Sequence, residues 1–377
     1  MPAVVLTTKL IFTSCLQHQN ARDSRYYRLM LSNLLPKAVL PLAAAILMLD
    51  GAGAQAQDVY FSQPFATRLH TNPAFAGLLD DYSLTLAHRN QFATLAGSFQ
   101  TTQLAADVRL PTHDLHHALG LVVTQDRTGE LGYTRLEVSA LYAYHTRLTQ
   151  QLALSAGLGL GYGRQRVSYS NLLFGDQIGG DGTVTGPSAE PLSFAPVNYF
   201  SVDPGLVLYT EQAWLSIAAH HLNQPNLGFV TQSQLPARLS VSGGYKLFLQ
   251  RPSPGKGEAE IREISLIPTA SYTRQGASSH TEIGAYAHVD PLTLGASYRN
   301  IGAGANVERQ HVLALAAGVS VGKFRLGYCY DAGLTALSND LGGAHELSLC
   351  LRSFDQLDGA FRRLRRRAYP AAPFPAY

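Results

Sequence analysis

From residue 82 onward the chain repeats one pattern: apolar residues alternate with small or polar ones at a period of two, in segments of about ten residues. The stretch LALSAGLGLGYGRQR, residues 152–166, shows it most plainly. Leu152, Leu154, Ala156, Leu158, Leu160 and Tyr162 share one phase, while Ala153, Ser155, Gly157, Gly159, Gly161 and Gly163 share the other. A period of two is a strand with two unlike faces. The glycines do not make a phosphate loop, which needs them at a turn before a helix with Lys-Ser/Thr following, and no such residues follow.

Fourteen such segments lie near 82–91, 97–109, 118–126, 133–147, 150–166, 199–210, 212–222, 236–249, 261–274, 277–288, 292–300, 308–321, 323–332 and 342–353. The same division of faces recurs. Leu136, Val138, Ala140, Tyr142 and Tyr144 oppose Glu137, Ser139, Ala143 and His145, with Leu141 on the polar side. Leu326, Tyr328 and Tyr330 oppose Arg325, Gly327, Cys329 and Asp331.

Strands of a soluble sandwich alternate too, so the pattern alone does not choose between a water-excluded core and lipid. Three features favour lipid. Ten residues is the length of a tilted transmembrane strand. Connections alternate between tight ones (RLTQQ, TEQ, VDP, VGK) and long ones (167–198, 222–235, 301–307, 333–341), as in barrels with short periplasmic turns and long extracellular loops. Many of the 19 tyrosines stand near segment ends, where an interfacial girdle belongs. The sequence therefore predicts an all-β, transmembrane outer-membrane β-barrel of about fourteen antiparallel strands over 82–354. Its Leu/Tyr phase meets lipid, and its Gly/Ser phase looks into the lumen. Arg164 and Arg166 continue the lipid phase past Tyr162, which places them above the hydrocarbon at the extracellular rim.

The N-terminus fits this location. From Met30, one lysine (Lys37) precedes the apolar run 38–49 and then Ala54-Gln55-Ala56, the order of a secretory signal peptide. Residues 1–56 are read as signal, with Met30 favoured as the start and cleavage between Ala56 and Gln57; 57–81 are read as a periplasmic N-terminal segment. Removing 1–56 takes away Lys9, Arg22, Arg25, Arg28, Lys37, Asp23 and Asp50, which leaves acidic and basic residues equal in number. The formal charge of +3 thus gives no ground for a nucleic-acid partner. The remaining basic cluster, Arg362, Arg363, Arg365, Arg366 and Arg367, sits in a tail over 355–377.

Reactive constellations are sparse. His220 and His221 are adjacent in a strand and should point to opposite faces, so they do not share a metal. His113, His116 and His117 cluster in a turn with no second ligand group in view. No nucleophile elbow is present. The sequence predicts no enzyme, no cofactor and no metal. Cys329 and Cys350 share the lumen phase of the last two strands; a hairpin symmetric about 339–340 would make them neighbours able to form a disulfide.

A set of polar motifs punctuates the strands in order: DVYFSQPFATRLHTNPAFAG at the mature N-terminus, LAHRNQF at 86–92, TQDRTGELGYTRLEVSALYAYH at 124–145, SYSNLLFGDQI at 168–178, AAHHLNQPN at 218–226, LPARLSVSGGYKL at 235–247 and GGAHELSLCLRSF at 342–354. Together they resemble the PorP/SprF family of outer-membrane proteins associated with the type IX secretion system of Bacteroidota. The resemblance implies a fourteen-stranded barrel. It also implies a role in exporting, or holding at the cell surface, a large partner such as a gliding adhesin, alongside other type IX secretion components.

Two functions follow. One is a secretion or surface-anchoring accessory; the alternative is a passive or substrate-specific outer-membrane pore for small solutes. The lumen phase is rich in Gly, Ala and Ser and shows no ladders of charge, which disfavours an ion-selective pore. Long loops on a rigid scaffold commonly carry function. Phe174, Gly175 and Asp176, which open the longest loop, are the leading partner-contact candidates, with Asn223, Gln224 and Pro225 on the same rim. Asn72-Pro73-Ala74 with Gly77 reads as a turn.

Overall fold

The computed structural model describes residues 58–92, 98–110, 116–129, 132–168, 174–179, 194–251, 263–302, 309–335 and 342–352, with single positions between 181 and 188 and Pro373. A short N-terminal stretch carries helix α1 (Arg68–Thr71) and a 3-10 turn, Pro73–Phe75. Strands β1 (Tyr82–Gln91), β2 (Phe99–Arg109), β3 (His117–Thr128), β4 (Tyr133–Arg147) and β5 (Ala153–Arg166) follow. Next come β6 (Val197–Tyr209), β7 (Ala213–His220), β8 (Arg238–Tyr245), β9 (Leu247–Gln250) and β10 (Ile264–Gln275). The series ends with β11 (Ser278–Val289), β12 (Leu292–Gly302), β13 (Gln310–Val321), β14 (Phe324–Gly333) and β15 (Ala344–Arg352). The expected signal segment with its Ala56/Gln57 junction, and the basic tail apart from Pro373, lie outside the described residues.

Apart from β8 and β9, each strand pairs antiparallel with its sequence neighbours, and β1 pairs with β15, so the sheet closes. Strands β8 and β9 are two pieces of one stave, since both pair with β10. The break falls at Lys246, opposite Ile267 and Pro268, and proline has no N–H to give the ladder. The result is a closed barrel of fourteen staves, as the sequence predicts. No described helix is long and apolar enough to cross a membrane.

Alternation in sequence becomes alternation in exposure. Along β5, Leu158, Leu160, Tyr162, Arg164 and Arg166 are exposed, while Ser155, Gly159, Gly161, Gly163 and Gln165 are buried. The outer wall is a belt of leucines, with Leu160 57% and Ile283 63% exposed. Such a surface is stable only against lipid. The apolar core lies inside the barrel. There Leu69, Ala74, Phe75, Ala76 and Leu78 of the N-terminal stretch pack on Ala105, Val122, Leu141, Ala143, Val207, Trp214, Ile267 and Tyr286 of the wall.

Candidate functional site: a lumen filled by the N-terminal segment

The sequence reading put residues 57–81 in the periplasm. The structure places them, from Asp58 on, inside the barrel. Their partners come from strands all around the wall, and only the lumen reaches all of those strands at once. The sequence signals are plain in retrospect. Phe61, Phe65, Leu69, Phe75 and Leu78 make the stretch too apolar for free water, and a closed barrel offers one dry place for it.

The stretch runs the length of the lumen. At the end bearing the long loops, the Asp58 carboxylate meets Arg135 of β4 at 3.0 Å, His221 at 2.9 Å and Arg238 of β8 at 3.7 Å. It also accepts from Gln275 Nε2 at 3.0 Å. Tyr60 donates to Glu282 of β11, and the Arg299 guanidinium lies 4.2 Å from its ring centroid. The backbone N–H groups of Ser62 and Gln63 donate to Glu346 of β15 at 2.6 and 2.9 Å. Ser62 Oγ donates to Asp331 of β14 at 2.5 Å. Arg89 of β1 joins both carboxylates, at 2.8 Å from Asp331 and 3.3 Å from Glu346.

Toward the tight-turn end, Arg68 pairs with Asp107 of β2 at 2.9 Å, and Asp107 also takes the Gly77 N–H at 2.7 Å. Asn72 is fully buried and is wired on four sides. Its Nδ2 donates to Leu206 O (3.1 Å), Ser216 Oγ (2.9 Å) and Ile217 O (3.1 Å), and its Oδ1 accepts from Ala74 N at 2.8 Å. The expected turn at Asn72-Pro73-Ala74 is therefore present, but its polar face is a bond to the β6–β7 wall.

The glycines of β5 now have a reason. A β-carbon at Gly157 would overlap the Pro73–Ala74 backbone, and one at Gly205 of β6 would overlap the Asn72 side chain. Ser155, two residues before Gly157 on β5, donates to Ala74 O at 2.6 Å. A cavity of about 100 Å³ remains beside the segment, lined in part by Phe65, Trp214, Ser240, Ser242 and Tyr286.

The expectation of a lumen without charge ladders is thus overturned. Arg89, Asp107, Arg135, Asp203, Glu282, Arg299, Asp331 and Glu346 all face inward and are buried. They escape a sequence reading because each strand carries only one or two. The register brings them together, as in Arg89 opposite Glu346 and Glu282 opposite Arg299. Buried ion pairs add little net stability, but removing one partner costs about 3–5 kcal/mol. The network thus fixes where the segment sits.

His220 and His221 were expected on opposite faces, yet both are buried inside. Strand β7 ends at His220, and His221 turns inward with φ +53°. His221 Nδ1 lies 2.8 Å from Ser201 Oγ and its Nε2 lies 2.9 Å from Asp58. This has the order of a hydrolase relay, but the Ser201 proton goes to Asp203 at 2.5 Å and the hydroxyl is buried. Among the described residues no group of three or more His, Cys, Asp or Glu is arranged to hold a metal ion.

The cysteine expectation fails on register. Cys329 faces Glu346 and Cys350 faces Arg325, and both thiols are free. The offset of four positions separates them by about 14 Å along the strand, where a disulfide needs Cα atoms within about 7 Å.

Of the rim candidates, Gly175 and Asp176 are exposed, with Gly175 in open space, and Phe174 is half-buried. Asp176 accepts from Ser188 Oγ within the same loop. Nearby, Asp181 is held below the usual carboxylate range by the Thr183 hydroxyl and N–H. Asn223 and Gln224 are exposed and Pro225 is buried. Asn223 acts as a missing strand, accepting from Val202 N at 3.2 Å and donating to Phe200 O at 2.8 Å, where β7 no longer covers β6. The two loops touch, with the Phe194 and Phe229 rings 6.3 Å apart. Leu227 and Leu235 pack under them against Tyr199. The structure thus brings the loops bearing both candidate groups to one end of the barrel.

A closed antiparallel barrel with an apolar belt outside and a polar, self-occupied interior is an outer-membrane protein of a Gram-negative envelope. Its tight turns face the periplasm and its long loops the exterior. The sequence matches the family described as Type IX secretion system membrane protein PorP/SprF over residues 53–351, and the chain belongs to that family. No curated protein matches the sequence. Among solved structures, the chain is similar to the toluene transporter TbuX of Ralstonia pickettii (15% identity, 81% of this chain and 97% of that one, TM-score 0.43). It is also similar to the P. putida toluene transporter TodX (13%, 81% and 99%, TM-score 0.44). A Pseudomonas aeruginosa FadL homologue matches at 12% identity, over 74% and 92% of the chains, with TM-score 0.40.

Proposed function

We propose that this barrel is an accessory of the type IX secretion system that assists export or surface anchoring of a large partner protein, such as a gliding adhesin, which it binds at its outer rim. One observation carries the reading beyond family membership: the lumen is occupied by the chain's own residues 58–79, which favours a binding platform over a conduit. Phe174, Gly175, Asp176, Asn223 and Gln224 are the proposed contact residues, on loops braced against each other at the exterior end. A signal peptide cleaved between Ala56 and Gln57 belongs to the same proposal, since it delivers residue 57 to the start of the lumen segment.

The test is deletion of 178–196 in the producing cell. Loop shortening costs little closure entropy, so the barrel should keep its heat-modifiable migration. Surface display of the partner should fall at least tenfold. Display at the wild-type level, together with lost solute uptake and open conductance of the purified wild type in planar bilayers, would establish the pore instead.

A further inference from the structure

The lipid-facing wall carries a second feature that the lumen does not explain. Arg127 of β3 and Arg164 and Arg166 of β5 all face outward and are exposed. No hydrogen bond, ion pair or ring contact with another described residue holds any of their side chains. The register sets them side by side. Arg127 lies opposite Thr134 of β4, and Thr134 opposite Arg166. Their Cα atoms are thus two strand spacings apart, about 10 Å, with Arg164 about 7 Å below Arg166. Among the described residues, the outward phases of β3, β4, β5 and β6 contain no acidic side chain.

Height decides what these guanidinium groups meet. A strand tilted by about 40° climbs roughly 2.6 Å per residue, so Arg164 stands about 26 Å above Leu154, the thickness of the apolar belt. Directly beneath the arginines is a row of bulky apolar side chains. Val138 faces Tyr162, and Tyr162 faces Phe200 with ring centroids 5.2 Å apart. Leu160 lies one step lower and is well exposed. Cations whose side chains have no partner among the described residues, standing just above an acyl-chain bed, match a lipid with an anionic head.

We propose that Arg127, Arg164 and Arg166 form a binding site for the phosphate of an anionic lipid in the outer leaflet, with its acyl chains lying on Val138, Leu160, Tyr162 and Phe200. Guanidinium groups suit the task because each offers paired N–H donors to phosphate oxygens and keeps its charge at any physiological pH. The site would fix the rotational setting of the barrel against the leaflet on the β3–β6 side, which is also the side bearing the 167–196 loop.

The probe is phosphatidic acid in competition with phosphatidylcholine, read by native mass spectrometry of the protein released from mixed nanodiscs. The wild type should retain phosphatidic acid at least tenfold over its share of the disc. The triple variant R127Q/R164Q/R166Q should fall to near parity, while Lys323→Gln, at the opposite end of the barrel, should keep the wild-type ratio. If the triple variant loses heat-modifiable migration, the single variants R164Q and R166Q, each expected to lose several-fold, replace it. Wild-type retention in the arginine variants would overturn the site. So would full displacement of phosphatidic acid by millimolar inorganic phosphate, which would make this a site for the free anion.

Discussion

Replacing Asn72 by alanine should unseat the middle of the lumen segment while leaving the barrel wall intact. The Asn72 amide has two hydrogens and three acceptors within 3.1 Å, and its oxygen holds the Ala74 N–H. At most three full hydrogen bonds are therefore lost, each worth about 1 kcal/mol net. The Ala74 N–H, buried and deprived of its acceptor, adds roughly 1–2 kcal/mol. A total of about 3–5 kcal/mol corresponds to a hundred- to several-thousand-fold shift in the seated equilibrium. Hydrogen exchange by mass spectrometry reads this directly: a peptide covering 69–79 should exchange faster by that factor. Peptides from β5 and β6, whose ladder bonds do not involve Asn72, should keep their protection. Gly157→Val tests the same seat from the other side, since it leaves the Asn72 side chain unaltered and instead fills the space of the Pro73–Ala74 backbone. Unchanged protection of 69–79 in both variants would refute the seating argument, as would a loss spread evenly over all strands.

Two further outcomes follow from the wall. Leu160→Arg, at a lipid-facing position near the midplane, should weaken membrane insertion by about 2–4 kcal/mol, measured by folding into vesicles across a urea series; Gln at the same position should cost less. Cys329 and Cys350 should both alkylate after denaturation without reductant, because their register keeps them apart; a disulfide-linked peptide pair in the mass spectrum would show that the β14–β15 ladder is shifted.

The staves and their facing were legible because membrane strands write a period of two directly into the sequence, as at Leu158, Leu160 and Tyr162 against Gly157, Gly159 and Gly161. The lumen was not legible, for two physical reasons. Charged lumen residues such as Arg89 and Glu346 come one or two to a strand and become a network only through register across staves that are distant in sequence. The segment 58–79 has no period of its own, since it folds as turns and a four-residue helix against a wall that shapes it. Register also hid the cysteines. The hairpin after β14 closes from Asp331 opposite Ala344, and a symmetry centre two residues further along suffices to suggest a neighbour pair. The rim candidates could be placed on outer loops from connection length alone, while the role of Asn223 as a stand-in for a missing strand required seeing β7 stop short.

The wiring of Ser62 and Gln63 also sets an order of events during assembly. These residues leave the ribosome early, yet the groups that hold them belong to the last two staves: Ser62 donates to Asp331 of β14, and Gln63 accepts from Ser348 of β15, 285 positions later in the chain. Until β14 and β15 have closed onto β1, neither Asp331 nor Glu346 is in place beside Arg89, and Ser62 and Gln63 lack their partners. Contacts of such long sequence separation form last. Completion of the ring and filling of its interior are therefore one event, and a chain truncated before residue 344 would lack β15 and Glu346 and so could achieve neither.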